Sequence, residues 1–300
     1  MDDVLRSARI RQIRFCSRWL RRLSNRRVGF AIIRTIRELP LARGTLTALL
    51  GYSRPFASLT AAAAAASGYE GGGHYNPNYL KVKIPEAEAV RPGDYAALFY
   101  IQQFMPHIRS VFDLGGNVGN LFYCYLKYLN FGSDFRWTVL DLPKTIALGR
   151  QIAAERNETR LRFTDQLSDA DGKSLFMTSG SLQYFEQSLP NMIAGFINRP
   201  LFVLVNREPL TTGPTTATVV DGETYRLPCL LHNRDSIIEG LAALGYEMLG
   251  HWQIPERSVM IPGYPDRSAP EYSGMFFRLK QMGVDPSFEG RDTKLASSGP

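Results

Sequence analysis

An acid, a glycine-rich turn and a second acid are the residues whose types and spacing could do chemistry. Asp113 closes a short apolar run that starts at Val111; Gly115, Gly116 and Gly119 follow; and Asp141 ends the run at 137–140, 22 residues beyond Gly119. Glycine lets the backbone turn tightly and lets a ligand approach where a Cβ would stand. A carboxylate about 20 residues after such a turn is placed to meet ribose hydroxyls. Asn117 is suited to cap the helix that follows the turn. Asp141-Leu142-Pro143 also reads as a helix start, with proline in the first turn and the aspartate as its cap. The agreement of the two spacings favours the ribose role.

The turn excludes two kinds of phosphate cofactor. Counting from Gly115, a dinucleotide fingerprint needs glycine at the third and sixth positions, where this chain has Asn117 and Asn120. No Gly-Lys-Ser/Thr follows, so it is not a P-loop. The Gly71-Gly72-Gly73 run before His74 has neither a lysine nor a preceding strand and reads as a linker.

What remains, acid-x-Gly-x-x-x-Gly, resembles motif I of the class I S-adenosylmethionine-dependent methyltransferases. Their usual form is acid-x-Gly-x-Gly-x-Gly. Asn117 stands at the middle glycine, a departure that several methyltransferase families share. The resemblance covers about residues 111–280. It implies S-adenosyl-L-methionine as cofactor, held by Asp113, Gly115, Gly116, Asn117 and Gly119. By the same resemblance Asp141 is the ribose-binding acid, with Leu142 beside it, and Asp165 takes the adenine position after the third strand. The segment 177–184, with Ser179, Gly180, Gln183 and Tyr184, looks like motif IV. More narrowly, DLGGNVG, TSGSLQYF and LFVLVNREPL resemble a bacterial family of methyltransferase-like proteins associated with cell-surface polysaccharide genes.

Methyl transfer is an in-line displacement in which positioning matters more than covalent help. Aromatic faces favour a sulfonium, and Tyr184 and Phe185 could supply one, although Phe185 also reads as core of the next helix. A sugar hydroxyl is a weak nucleophile that benefits from a general base. The candidate catalytic residues are Glu208, just beyond the fifth strand, and His232, ahead of a helix; His74, His107 and His251 have weaker cases. No carboxylate/histidine cluster or CxxC points to a metal. Cys16, Cys124 and Cys229 read as free thiols of a reducing compartment.

These residues need a scaffold of alternating elements. The periodicity gives strand 111–114, helix 117–129, strand 135–140, helix 143–155, strand 161–164, strand 174–178, helix 186–198 and strand 201–206. A hairpin-like region at 214–228, a helix at 234–244 and strands near 246–252 and 273–279 complete the series. The expected class is α/β: a Rossmann-like, doubly wound, mostly parallel sheet with an antiparallel edge strand, plus an N-terminal helical extension. The expected divisions are an Arg-rich amphipathic extension (1–50), a helical cover and linker (51–106), a methyltransferase-like domain (107–282) and a disordered tail (283–300). In the cover, 58–66 reads as an alanine-rich helix. A further helix before residue 106 has Tyr95, Leu98, Phe99, Ile101 and Phe104 as its apolar positions; Asp94 and Tyr95 could reach a pocket, with core packing the plainer role for Tyr95.

Charge is unevenly placed. Residues 1–44 carry 12 arginines, no lysine and three acidic residues, so the formal +7 belongs to that end and the rest holds 23 basic against 25 acidic side chains. A nearly neutral body argues against a nucleic-acid partner and disfavours RNA methylation. The basic amphipathic stretch 4–27 fits peripheral contact with a membrane, packing on a partner or its own domain, or a transit peptide, against which Asp2 and Asp3 argue. No apolar run reaches the length that spans a bilayer. The expected location is cytoplasmic, with the inner membrane face as an alternative. The expected activity is methylation, at oxygen, of a glycan or small-molecule acceptor; the alternative is a non-catalytic methyltransferase-like module attached to a membrane or partner assembly.

Overall fold

The computed structural model describes residues 54–66, 89–221, 226–261 and 263–280, with isolated positions between 31 and 39. The basic stretch 4–27, the segment 67–88, Cys16 and the tail 283–300 lie outside the described residues. Five parallel strands form the centre: β1 (Ser110–Leu114), β2 (Arg136–Leu140), β3 (Leu161–Thr164), β4 (Leu175–Ser179) and β5 (Phe202–Glu208). Two further strands, β8 (Tyr246–Ile254) and β9 (Tyr272–Leu279), join antiparallel, giving the order β3-β2-β1-β4-β5-β9-β8. The edge is β8, and β9 lies inside it. Strand order reverses between β1 and β4, which creates a crevice at their carboxyl ends.

Alternation along each buried strand divides the core. Val111, Leu175, Met177, Phe202 and Leu204 face one cluster, built with helices α2 (Asp94–Gln103), α3 (Asn120–Tyr125) and α4 (Pro143–Glu155). Phe112, Leu114, Phe176, Val203 and Val205 face the other, built with α5 (Leu189–Ala194) and α6 (Arg234–Ala243). A separate two-stranded sheet, β6 (Thr216–Asp221) with β7 (Arg226–Leu231), carries helix α1 (Leu59–Ala66) on one face. Small alanines let α1 lie close: Ala62 and Ala66 pack on Ala217, Val219 and Leu230.

Several elements differ from their sequence expectation for local reasons. Helix α3 starts at Asn120 rather than 117, because Asn117 (φ 57°) and Gly119 (φ 87°) are left-handed and a right-handed helix cannot run through them. Helix α5 is confined to Leu189–Ala194, with Ser188 extended ahead of it and Pro190 in its first turn. On α2 the buried face is Asp94, Ala97, Leu98 and Ile101, whereas Tyr95 and Phe99 are 60% and 61% exposed. Tyr95 is therefore neither core nor pocket. The hairpin reaches Leu231, three residues further than the pattern suggested. Helices α1 and α4 and strand β3 match their expected spans closely. Among the described residues, no helix is long and apolar enough to cross a membrane, and no group of His, Cys, Asp or Glu is arranged to hold a metal ion.

Candidate functional site

A cavity of about 630 Å³ opens at the carboxyl ends of the central strands, over the switch point. Its floor is the turn after β1. Gly115 adopts φ +68°, and a Cβ there would come within 2.4 Å of the Ser181 Cβ; a Cβ on Gly116 would meet Asp113 Oδ2 at 2.3 Å. The turn is thus closed around its own neighbours and requires glycine at both positions.

The backbone donors of this turn are engaged internally. Gly115 N–H donates to the Leu140 carbonyl (2.8 Å) and Gly119 N–H to the Gly116 carbonyl (3.1 Å). Asn117 N–H donates to Asp141 Oδ2 (2.9 Å), and Val118 N–H to Asn117 Oδ1 (2.8 Å). Four of five consecutive N–H groups from 115 to 119 are therefore unavailable to an anion, and the nest of donors that a phosphate needs is absent from this turn. Asn117 closes on its neighbour, and the N-cap of α3 is Gly119, with no side-chain cap. Its expected capping role is not observed.

The cavity instead presents acceptors. Asp141, at the end of β2, takes Asn117 N–H on one oxygen and Leu142 N–H on the other at 2.8 Å. Helix α4 has Leu142 as its N-cap with no side-chain bond, so the plain capping reading of Asp141 fails: it braces the glycine turn. Asp113 is buried and receives the Trp137 Nε1–H at 3.1 Å. Burial pushes its carboxyl up to about 7, and nearby Asp141 adds to this, while the Trp137 hydrogen bond and the Arg207 charge pull the other way. Asn120 Oδ1 is buried at the wall with no hydrogen-bond partner. Asp165 lies exposed after β3, with Gln166 Nε2 donating to it at 2.8 Å.

Of the sequence candidates, Asp113, Gly115, Gly116, Asn117, Asp141, Leu142, Asp165, Ser179, Gly180, Gln183 and Tyr184 all line this one cavity. Gly119 does not line it; it sits beneath, against Leu161. Phe185 reaches the wall as well as packing on the second core cluster.

The two candidate bases are not brought to the cavity. Glu208 is fully buried, and its Oε1 accepts from Thr178 Oγ1 (2.7 Å), Ser181 N–H (3.0 Å) and Leu182 N–H (3.1 Å). It anchors the segment after β4 from behind. Burial pushes it up to about 7 despite these bonds, and Oε2 has no partner. His232 is buried, and its Nε2 lies 3.3 Å and 3.1 Å from the carbonyls of Leu182 and Phe185, so that nitrogen carries the proton and donates. Burial holds its basicity below the usual range. Both residues fix the 180–185 segment. The strand-end logic that nominated Glu208 fails because β5 bulges: its register with β9 shifts between Val205 and Glu208.

Sequence reasoning missed other wall residues. Arg91, Arg207 and Arg257 reach the cavity, and Leu59 from α1 with Leu227 and Pro228 from β7 form an apolar roof. Arg207 adjoins the Glu208 that was singled out, and its strand-end position was the available signal. The roof joins residues far apart in the chain, and no local pattern announces it.

No protein-family model matches the sequence, and no curated protein matches it. Solved structures that resemble the chain include a Burkholderia thailandensis 1,6-didemethyltoxoflavin-N1-methyltransferase with bound 1,6-didemethyltoxoflavin and S-adenosylhomocysteine, at 16% identity and TM-score 0.44, covering 68% of this chain and 87% of that one. A glycopeptide N-methyltransferase complexed with sinefungin matches at 14% identity and TM-score 0.43, over 64% of this chain and 95% of that one. An O-methyltransferase family protein from Burkholderia thailandensis matches at 15% identity and TM-score 0.41, over 68% and 59%. Likeness at this level leaves the assignment of a ligand to the geometry of the site itself.

Proposed function

We propose that the chain is an S-adenosylmethionine-dependent methyltransferase acting on an oxygen of a small-molecule or glycan acceptor. The observation that carries this reading is the character of the floor: a glycine turn at the switch point whose N–H groups are engaged internally, bordered by Asp113, Asp141 and the partnerless Asn120 Oδ1. Such a surface accepts hydrogen bonds and attracts positive charge. It suits a ribose diol, an ammonium and a sulfonium, and does not suit a pyrophosphate.

When bound, the cofactor would supply an electrophilic sulfonium methyl, with a neutral thioether as its leaving group, for attack by the acceptor oxygen. Asp141 and Asp165 are the residues for the ribose and adenine ends, and Asp113 for the positive charge of the amino-acid end. Tyr184 and Phe185 form a wall beyond β4. No histidine or glutamate lines the cavity among the described residues, so the chain's contribution is binding, alignment and exclusion of water rather than general-base chemistry through Glu208 or His232. The roof of Leu59, Leu227 and Pro228 gives the acceptor an apolar cover.

Titration calorimetry with S-adenosylhomocysteine tests the proposal. Binding by the wild type, weakened by Asp141→Ala, is the expected result. A folded protein with no heat of binding and no thermal stabilisation at saturating ligand would refute it.

A further inference from the structure

We infer that Arg207 receives an anionic group, a carboxylate or a phosphate, carried by the methyl acceptor. The inference rests on the methyltransferase reading and names the acceptor class for that same cavity.

The backbone is distorted where this side chain enters. Along β5, Val203 and Val205 face the second core cluster, and strict alternation would send Arg207 after them. The bulge between Val205 and Glu208 and a φ of +52° at Arg207 redirect it to the side of Asp94 and Ser179. A non-glycine residue in this region is uncommon and costs free energy. The outlier puts a guanidinium into the cavity wall.

That guanidinium is held by one atom. Arg207 Nε donates to Ser179 Oγ at 3.0 Å and lies 3.7 Å from Asp94 Oδ1. Asp94 is itself fixed: Asn206 Nδ2 donates to Oδ1 at 3.0 Å and Arg91 N–H to Oδ2 at 3.1 Å. Trp252 Nε1 donates to Asn206 Oδ1 at 3.2 Å, which sets the orientation of that amide. Neither Nη group of Arg207 makes a hydrogen bond to a described residue, although the side chain is only 12% exposed. Two parallel donors on a tethered, largely dehydrated fork match the two oxygens of a carboxylate or phosphate.

Topology separates this fork from the residues proposed for the ribose and adenine. Asp141 and Asp165 follow β2 and β3, on one side of the switch point; Arg207 lies near the end of β5, on the other, beyond β4. Asp113, on β1 between them, is close enough to feel the Arg207 charge. Arg91 and Arg257 line the same cavity and raise its positive potential.

The test uses the full chain saturated with S-adenosylhomocysteine, titrated with inorganic phosphate and separately with malonate, at constant ionic strength against chloride. At least one anion is expected to bind the wild type without displacing S-adenosylhomocysteine, and which one does so separates a phosphate-bearing from a carboxylate-bearing acceptor. Arg207→Gln is expected to weaken that anion at least tenfold while keeping S-adenosylhomocysteine affinity within threefold; Arg207→Lys, which keeps the charge and loses the fork, is expected to fall between. The inference is overturned if neither anion binds the loaded wild type, if anion affinity survives both variants, or if the anion competes with S-adenosylhomocysteine. It is also overturned if Arg207→Gln loses S-adenosylhomocysteine tenfold, which would assign the fork to the cofactor's own carboxylate. Failure of the wild type to bind S-adenosylhomocysteine refutes the parent reading instead, and comparing the anion titrations of unloaded wild type and Arg207→Gln then still decides whether Arg207 holds an anion.

Discussion

Asn117 N–H donates to Asp141 Oδ2 across 2.9 Å, so the turn after one strand is held by the acid that ends its neighbour. The second oxygen of Asp141 takes Leu142 N–H. Asp141→Ala removes two charge-assisted bonds and is expected to cost about 1–3 kcal/mol of stability. It should also weaken S-adenosylhomocysteine at least about tenfold, or ~1.4 kcal/mol. Urea unfolding and calorimetry measure the two effects separately. A folded variant with unaltered affinity would reduce Asp141 to a brace.

Asn120→Ala should show the opposite pattern. Its Oδ1 is buried without a partner, and an unsatisfied buried acceptor is costly, by about 1–3 kcal/mol. Removing it is expected to leave the unliganded protein as stable or slightly more stable, while S-adenosylhomocysteine affinity falls. A thermal scan with and without ligand reads both; a large loss of stability in the unliganded state would contradict the assignment.

Asp113 gives the binding reaction its pH dependence. Burial raises its carboxyl to about 7, and a positively charged ligand group needs it ionised. Affinity for S-adenosylhomocysteine is therefore expected to increase as pH rises through about 7. Trp137→Phe deletes the Nε1–H that favours the carboxylate, so the rise should move to higher pH. A flat profile in the wild type would remove Asp113 from contact with the ligand.

Glu208 controls stability instead. Its carboxyl is ordinary in the unfolded chain and raised to about 7 in the folded one by burial. The folded state then keeps a proton that the unfolded state has lost between about pH 4.5 and 7, and stability falls as pH rises across that window. A shift of that size corresponds to roughly 3 kcal/mol. Asp113 contributes with the same sign, so Glu208→Gln is expected to reduce the loss by about half rather than abolish it. Urea unfolding at pH 5 and pH 8 checks this.

Much of the scaffold was legible because its signals are local. Pro143 fixes the start of α4, and Asp113 near the end of β1, with Asp141 and Asp165 just after β2 and β3, stand where alternating strands and helices place them. The start of α3 was not legible, since nothing in the sequence shows that Asn117 adopts a left-handed conformation to reach Asp141. The exchange between Glu208 and Arg207 was not legible either. A bulge is a matter of register between β5 and β9, whose paired residues lie about 70 positions apart; it buried the residue expected at the cavity and delivered its neighbour. Counting apolar positions on α2 erred at Tyr95 and Phe99 because the count treats aromatics as core, whereas buried Asp94 occupies the inner face.

One face of the roof packs through a layer of its own, while on the other face Cys229 and Leu231 join Ile254 and Tyr272 of the main sheet. Helix α1 and the β6–β7 hairpin share a cluster of Ala62, Ala66, Ala217, Val219 and Leu230, none of which belongs to the two clusters of the main sheet. Phe56 N–H donates to the Ala217 carbonyl at 2.8 Å and ties the two pieces together. Mutational drift within this layer can reshape one wall of the cavity while the sheet and its glycine turn stay as they are. What the roof admits can thus diverge from its helix side while what the floor holds persists, but a graft of the roof would have to carry the partners of Cys229 and Leu231 with it.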